Sequence, residues 1–122
     1  MKEENIQTRE LEDEIEFDGK KIKSIKFDLE HINRGWDAEA NDYNDEVRSD
    51  YTAEDVIDFF EQFGYYDIEW KEGRNKYETE VRGKKRARYV AFVTDHNKGK
   101  QKKIVIDIPY AFEDEGIIIT IY

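Results

Sequence analysis

Three apolar stretches decide the predicted fold: Arg-Ala-Arg-Tyr-Val-Ala-Phe-Val at residues 86–93, Lys-Ile-Val-Ile-Asp-Ile at 103–108 and Gly-Ile-Ile-Ile-Thr-Ile-Tyr at 116–122. β-Branched and aromatic residues dominate all three, as is typical of strands. Turn-forming residues separate them at 95–99 and 109–115. This arrangement predicts an antiparallel meander that holds most of the hydrophobic core.

The chain upstream of the meander adds further strand signals. Tyr77, Thr79 and Val81 alternate with polar residues, which indicates a half-buried strand. Residues 65–70 are predicted to begin the sheet. Together with the meander, these segments predict about five antiparallel strands.

A helix with clear ends precedes the sheet. Thr52 is the predicted N-cap, and Asp55 lies three residues later, as in a capping box. Gly64 is the predicted stop. The helical spacing predicts a buried face formed by Val56, Phe59, Phe60 and Phe63.

The N-terminal third predicts less order. Residues 1–14 are polar and acidic and are expected to form a tail, so the single domain is predicted to span residues 15–122. Asp18-Gly19 is a hairpin signal, and a helix is predicted from about Phe27 to Arg34. The predicted fold class is therefore α+β, with N-terminal helices followed by an antiparallel meander of about five strands.

The composition predicts a cytoplasmic protein that needs no disulfide and no membrane. The chain of 122 residues has no cysteine, which fits a reducing compartment. It has no signal peptide after Met1, and no apolar run approaches the roughly 20 residues of a membrane span. We predict no cofactor, because the sequence contains no glycine-rich phosphate loop.

Charge is distributed unevenly along the chain. Residues 1–70 carry 8 basic and 22 acidic side chains, a net charge of −14, whereas residues 71–122 carry 12 and 8, a net charge of +4. The basic residues concentrate within residues 82–103. Either this basic segment binds a polyanion, or the acidic half is the functional surface and the basic segment pairs with it internally.

Metal binding has little support in the sequence. His31 and His96 are far apart, and neither lies at a ligand-type spacing. The loop of residues 37–50 is rich in aspartate, but it lacks the glycine and the final glutamate of an EF-hand. We therefore predict no metal site, and the sequence assigns no role to this loop.

A dispersed polar set has the chemistry that RNA cleavage requires. His31 lies on the predicted first helix, Arg48 precedes the second helix, and Thr120 and Tyr122 share one face of the last strand. Histidine suits proton transfer near neutral pH, and arginine suits a phosphate. Hydroxyl groups can donate to the phosphorane that forms during attack by the 2′-hydroxyl.

The order of these residues resembles the small RNase toxins of the barnase–EndoU–colicin–RelE superfamily. The matching stretches are Leu-Glu-His-Ile at residues 29–32, Val-Arg-Ser-Asp-Tyr-Thr-Ala-Glu-Asp-Val at 47–56 and Ile-Thr-Ile-Tyr at 119–122. The resemblance implies a metal-independent endoribonuclease that produces a 2′,3′-cyclic phosphate. His31, Arg48, Thr120 and Tyr122 would form its active site, and an antitoxin or immunity protein would be its partner.

Six basic side chains are the candidates for guiding the RNA backbone. They are Lys84, Lys85, Arg86, Arg88, Lys102 and Lys103.

A different class of function also fits the composition. Small, acidic, cysteine-free and tyrosine-rich chains resemble inhibitors and immunity-type proteins that present carboxylates to a basic nucleic-acid-binding partner. The negative half of the chain, residues 1–70, would then be the working surface. A plain interaction module is a third interpretation. The sign of the charge around the predicted cleft distinguishes the first two, since a nuclease requires positive charge there.

Overall fold

The computed structural model describes all 122 residues and contains one six-stranded mixed sheet, two α helices and one small hairpin. A 3-10 turn at Glu3–Asn5 precedes the first strand. The sheet strands are β1 (Ile6–Phe17), β2 (Lys20–Asp28), β5 (Lys76–Val81), β6 (Lys84–Asp95), β7 (Lys100–Pro109) and β8 (Glu115–Ile121). The helices are α1 (Leu29–Arg34) and α2 (Ala53–Phe63), and the small hairpin pairs β3 (Trp36–Asp37) with β4 (Asp42–Tyr43).

The strand order in the sheet is β1-β2-β8-β7-β6-β5. Strands β5 to β8 form the antiparallel meander that the sequence predicts. Strand β8 also pairs with β2, and this pair is parallel. The carboxyl ends of β2 and β8 therefore lie at the same edge of the sheet.

The predicted fold class, N-terminal helices followed by an antiparallel meander of about five strands, is wrong, because the chain forms one six-stranded mixed sheet that includes its N-terminal segment. Strands hold 50% of the residues and helices only 16%, so the chain does not begin with helices. Most of the predicted polar tail, residues 1–14, belongs to β1, a 12-residue edge strand. Only Ile15 and Phe17 of β1 are buried, because an edge strand gains its pairing from backbone hydrogen bonds and leaves most side chains in water.

The segment of residues 65–70 is a second correction. It was predicted to begin the sheet, but it forms a turn and irregular chain. Its side chains Tyr66, Ile68 and Trp70 nevertheless pack against the core, and Trp70 contacts the rings of Phe17 and Tyr89. The alternating apolar side chains of this segment pack against the core of the sheet, but its backbone does not pair with a strand.

Several local predictions are confirmed. Thr52 and Asp55 form the capping box of α2, and Gly64 follows the last residue of that helix. The Asp18-Gly19 turn joins β1 to β2, with both residues at positive φ as a type I′ hairpin requires. Helix α1 lies within the predicted range, although it is only six residues long.

The hydrophobic core lies on one face of the sheet. Alternate residues of β6, from Ala87 to Val93, are buried, and so is the apolar face of α2. These residues belong to one cluster of 21 buried side chains. The opposite face of β5 to β8 is not covered by either helix, and we call it the open face. Neither helix has both the length and the apolar character that crossing a membrane requires.

Candidate active site

The candidate site lies at the edge where β2 and β8 end. Asp28 is the last residue of β2 and is fully buried. Its carboxylate accepts hydrogen bonds from the backbone of Glu30 and His31 and so caps α1. It also accepts a hydrogen bond from the hydroxyl of Tyr43. One carboxylate thus fixes both the first helix and the β3–β4 hairpin next to the end of β8.

The segment after the hairpin is held against α1 by Asn33. The Asn33 side chain accepts a hydrogen bond from the backbone N–H of Tyr51 (2.8 Å) and donates one to the Tyr51 carbonyl (2.9 Å). The backbone N–H of Arg48 donates to the Asn33 carbonyl (2.8 Å). These bonds place Arg48 beside the end of α1, although a long insertion separates the two in sequence.

Arg48 reaches from this segment to β8. Its Nη2 donates to Thr120 Oγ1 at 2.6 Å, and its Nε donates to the Ile32 carbonyl at 3.2 Å. The guanidinium carbon lies 4.6 Å from the centre of the Tyr122 ring. Arg48 is exposed, while Thr120 is buried and Tyr122 is 49% exposed. The cluster therefore presents the Arg48 guanidinium and the Tyr122 hydroxyl at one surface, with the buried Thr120 hydroxyl bonded to the guanidinium.

Lys103 of β7 completes this cluster. Its Nζ donates to Tyr122 Oη at 3.1 Å and lies 5.3 Å from the ring centre. Because Lys103 has no lone pair to offer, the Tyr122 hydroxyl hydrogen remains available for another acceptor. Two cations and two hydroxyl groups from three separate elements thus converge, and such a set stabilises a phosphate that gains negative charge.

His31 is placed beside the cluster, but its ring has a different environment. The ring stacks on Trp36, with centres 6.2 Å apart and planes within 7°. The backbone carbonyl of His31 accepts a 3.4 Å hydrogen bond from Arg48, whereas its Nδ1 atom is buried without a partner. Burial, assisted by the positive N-terminus and Arg48, lowers the pKa of His31 to about 4, although Asp28 opposes the shift. The imidazole is therefore neutral at pH 7.

The six basic residues predicted to guide RNA do not form one surface. Strand alternation places Lys84, Arg86, Arg88 and Lys103 on the open face, and Lys85 and Lys102 on the other. Lys102 lies over the ring of Tyr51, which belongs to the core. Lys85 lies 3.8 Å from a carboxylate oxygen of Glu78.

Arg86 and Arg88 share a buried carboxylate. Asp107 is fully buried, and Arg88 contacts both of its oxygens, at 2.7 and 2.9 Å. Arg86 approaches the same group at 3.4 Å. This ion pair raises the pKa of Arg88. One of the two arginine charges is therefore balanced within the protein, and only the second is available to a ligand.

The sequence did not place Lys103 and Trp36 in the candidate active site. Lys103 was predicted to guide RNA, and only the pairing of β7 with β8 shows that it adjoins Tyr122. Trp36, which stacks on His31, was given no role by the sequence. The acidic loop itself does not gather into a metal site, since no group of three or more His, Cys, Asp or Glu side chains is placed to hold an ion.

Comparison with protein-family models, with curated proteins and with solved structures finds no match to this chain. The candidate site therefore rests on its own geometry and chemistry.

Proposed function

We propose that this protein is an endoribonuclease of toxin type that cleaves RNA without a metal and leaves a 2′,3′-cyclic phosphate. The observation that carries the proposal is the convergence of Arg48, Thr120, Tyr122 and Lys103 at the end of β8. Their donor groups come from the segment between the β3–β4 hairpin and α2, from the end of β8 and from β7. Such a set suits the phosphorane, whose charge develops only during the reaction.

The proposed reaction is an internal displacement at phosphorus. The ribose 2′-oxygen loses its proton and attacks phosphorus, the bond to the 5′-oxygen breaks, and the 5′-oxygen takes up a proton from water. Arg48 and Lys103 stabilise the charge on the phosphate, and Thr120 and Tyr122 donate to its oxygens. Because the pKa of His31 is lowered to about 4, its neutral imidazole can accept the 2′-hydroxyl proton only as a weak base, and it is not charged at pH 7 to act as the acid.

The test is incubation of the purified protein with total RNA in the presence of EDTA. We expect fragments that end in a 2′,3′-cyclic phosphate and whose yield falls in Tyr122→Phe. Tyr65→Phe is the matched control, because Tyr65 is 90% exposed and makes no contact with the cluster. Intact RNA under every buffer condition would contradict the proposal. A cytoplasmic location and a neutralising antitoxin or immunity protein belong to the same proposal.

A second candidate function has its own supporting observation. Glu10, Glu12, Glu14 and Glu16 are exposed at every second position of the edge strand β1. The register of β1 against β2 shifts between Glu10 and Ile15, so the four carboxylates form an unevenly spaced negative row along this edge. Such a row fits an inhibitor that occupies the basic channel of a nucleic-acid-binding protein. The test is a panel of nucleases assayed with and without this protein. Changing all four glutamates to Gln should abolish its inhibition of any nuclease that the wild type inhibits, and should leave RNA cleavage by this protein unaltered.

A further inference from the structure

An exposed phenylalanine lies on the open face, at the end of the sheet that holds the candidate site. Phe92 lies on β6 beyond the last residue that pairs with β5, so β7 is its only paired neighbour, and its side chain is 66% exposed. Its neighbours in the strand, Ala91 and Val93, point to the opposite face and are buried in the core. Burial therefore does not account for Phe92. A single exposed ring is common on protein surfaces, so the neighbours of Phe92 on the same face decide what it can bind.

Phe92 belongs to a row that leads directly to the candidate site. It pairs with Lys103 across β6 and β7. Lys103 and Tyr122 exchange two backbone hydrogen bonds across β7 and the end of β8. The side chains of Phe92, Lys103 and Tyr122 therefore lie side by side on the open face, with the two rings roughly 10 Å apart because they are separated by two strand spacings.

The rest of the open face combines apolar and cationic side chains. Val90 pairs with Val105, which pairs with Thr120, so a half-buried apolar row adjoins the first one. The next row pairs Tyr77 with Arg88, and Tyr77 is 43% exposed. Aromatic rings are thus distributed across β5, β6 and β8, with cations between them.

The charge of this face is opposite to that of the whole protein. The chain has a net charge of −10, but the open face of β5 to β8 carries more basic than acidic groups. Its basic residues are Lys84, Arg86, Arg88 and Lys103, and the buried Asp107 offsets one of them. Arg48 adds a further positive charge at the end of β8. Charge complementarity therefore favours a polyanion on this face.

A single strand is the nucleic acid that this arrangement suits. Unpaired bases stack on aromatic side chains while the backbone contacts neighbouring cations. A duplex hides the faces of its bases inside the helix and presents only phosphates and groove edges. The exposed ring of Phe92 has no partner in a duplex, whereas it offers a stacking surface to an unpaired base.

We propose that the open face binds single-stranded RNA, with one base stacked on Phe92 and the adjacent phosphate at Lys103. This inference rests on the proposed function, because it names the form of RNA that the nuclease takes as its substrate. It places the bound strand across β6, β7 and β8 and directs one of its phosphates toward Arg48 and Thr120.

Binding is measured separately from cleavage. The probe is a fluorescent oligonucleotide of about 10 nucleotides, a length within the usual site size. Its 2′-O-methyl riboses lack the attacking hydroxyl, so it is bound but not cut. We expect Phe92→Ala to weaken its binding about 10-fold or more. Phe112→Ala is the matched control, because Phe112 is equally exposed at 64% but lies in the turn at the other end of the β7–β8 hairpin.

A neighbouring pair of lysines tests the phosphate contact. Lys103→Gln should weaken binding and lower the slope of log affinity against log salt by about 1, as expected for one lost phosphate contact. Lys102→Gln is the control, since Lys102 is adjacent in sequence but faces the other side of the sheet. A duplex of the same 2′-O-methyl sequence should bind more weakly than the single strand.

The outcomes separate this inference from the proposed function. Equal effects of Phe92→Ala and Phe112→Ala, or equal affinity for the single strand and the duplex, would overturn the inference. So would a wild-type protein that cleaves RNA but does not bind the probe. If the protein binds the probe specifically but leaves RNA intact, the inference is supported and the proposed nuclease activity is overturned.

Discussion

Gly35 lies so close to Arg48 that a β-carbon built on Gly35 would stand 2.8 Å from Nη1 of Arg48. Gly35 ends α1 with φ +79° and ψ 176°, a conformation that is essentially restricted to glycine. The same residue thus permits the turn after α1 and leaves room for the guanidinium that contacts β8. Any side chain at this position would displace Arg48 from the candidate site.

Gly35→Ala should therefore impair both stability and cleavage. The strained backbone should cost about 1–3 kcal/mol, and the displaced guanidinium should lower kcat. Gly73→Ala is the matched control, because Gly73 also has φ +79° but has no neighbouring atom within 4 Å of the added carbon. The control should lose stability in urea denaturation and keep its activity. Equal kcat values in the two variants would show that Arg48 does not act in cleavage.

Tyr122→Phe removes one hydroxyl and keeps the ring under Arg48. Loss of a single transition-state donor typically lowers the rate by about 10²–10³-fold, so we expect a fall of that order in kcat. The melting temperature should stay close to that of the wild type, because the ring packing is retained. Single-turnover cleavage of a short RNA is the measurement, and full activity in this variant would place the chemistry elsewhere.

The stability of the protein should depend on pH through His31. The folded-state pKa of His31 is lowered from 6.5 to about 4, so the unfolded chain binds more protons in this window. Stability is therefore fully present above pH 6.5 and is lost progressively as the pH falls toward 4. Urea denaturation at several pH values should show this loss, and His31→Asn should reduce it.

Arg88→Met should destabilise the protein because it removes the main partner of the buried Asp107 carboxylate. Breaking a buried ion pair costs about 3–5 kcal/mol, and we expect the lower end because Arg86 remains near. The double variant Arg88→Met/Asp107→Leu should recover much of the loss, since no charge is then left buried. Arg82→Met is the control. Its pair with Glu3 is exposed, and its loss should cost less than about 1 kcal/mol.

Substitutions in the hydrophobic core should lower the stability of the protein. Phe59 and Ile106 are buried on α2 and β7, at 0% and 1% exposure. Replacing either residue with Ala should lower the free energy of unfolding by about 2–5 kcal/mol, through lost burial and a residual cavity. Chemical denaturation is the measurement, and a loss below about 1 kcal/mol would show that the site refills after substitution.

The sequence predicts best where local chemistry decides the structure. The capping box at Thr52 and Asp55, the turn at Asp18-Gly19 and the apolar alternation of β6 each depend on a few adjacent residues. Strand β1 could not be recognised in this way. Half of its 12 residues are charged, so its side chains have little preference for a strand. Backbone pairing with β2 holds this segment in the sheet.

The candidate site was predictable only in part for a related reason. His31, Arg48, Thr120 and Tyr122 were named from residue type and resemblance, and the structure brings the last three into direct contact. The approach of Arg48 to β8 depends on the Asn33 side chain, which no local pattern reveals. The aspartate inside the apolar stretch of β7 was a signal that Arg86 and Arg88 pair internally, and it was overlooked.

The position of β8 between β2 and β7 has a consequence for folding kinetics. The β1–β2 hairpin with α1 and the β5–β7 meander share no backbone pairing except through this strand. Pairing of Ser24 with Glu115 closes most of the chain into one loop, and such non-local pairing slows folding. Because Thr120 and Tyr122 reach Arg48 only when β8 is inserted, no partly folded species should be active. Recovery of cleavage after dilution from urea should coincide with the slowest folding phase.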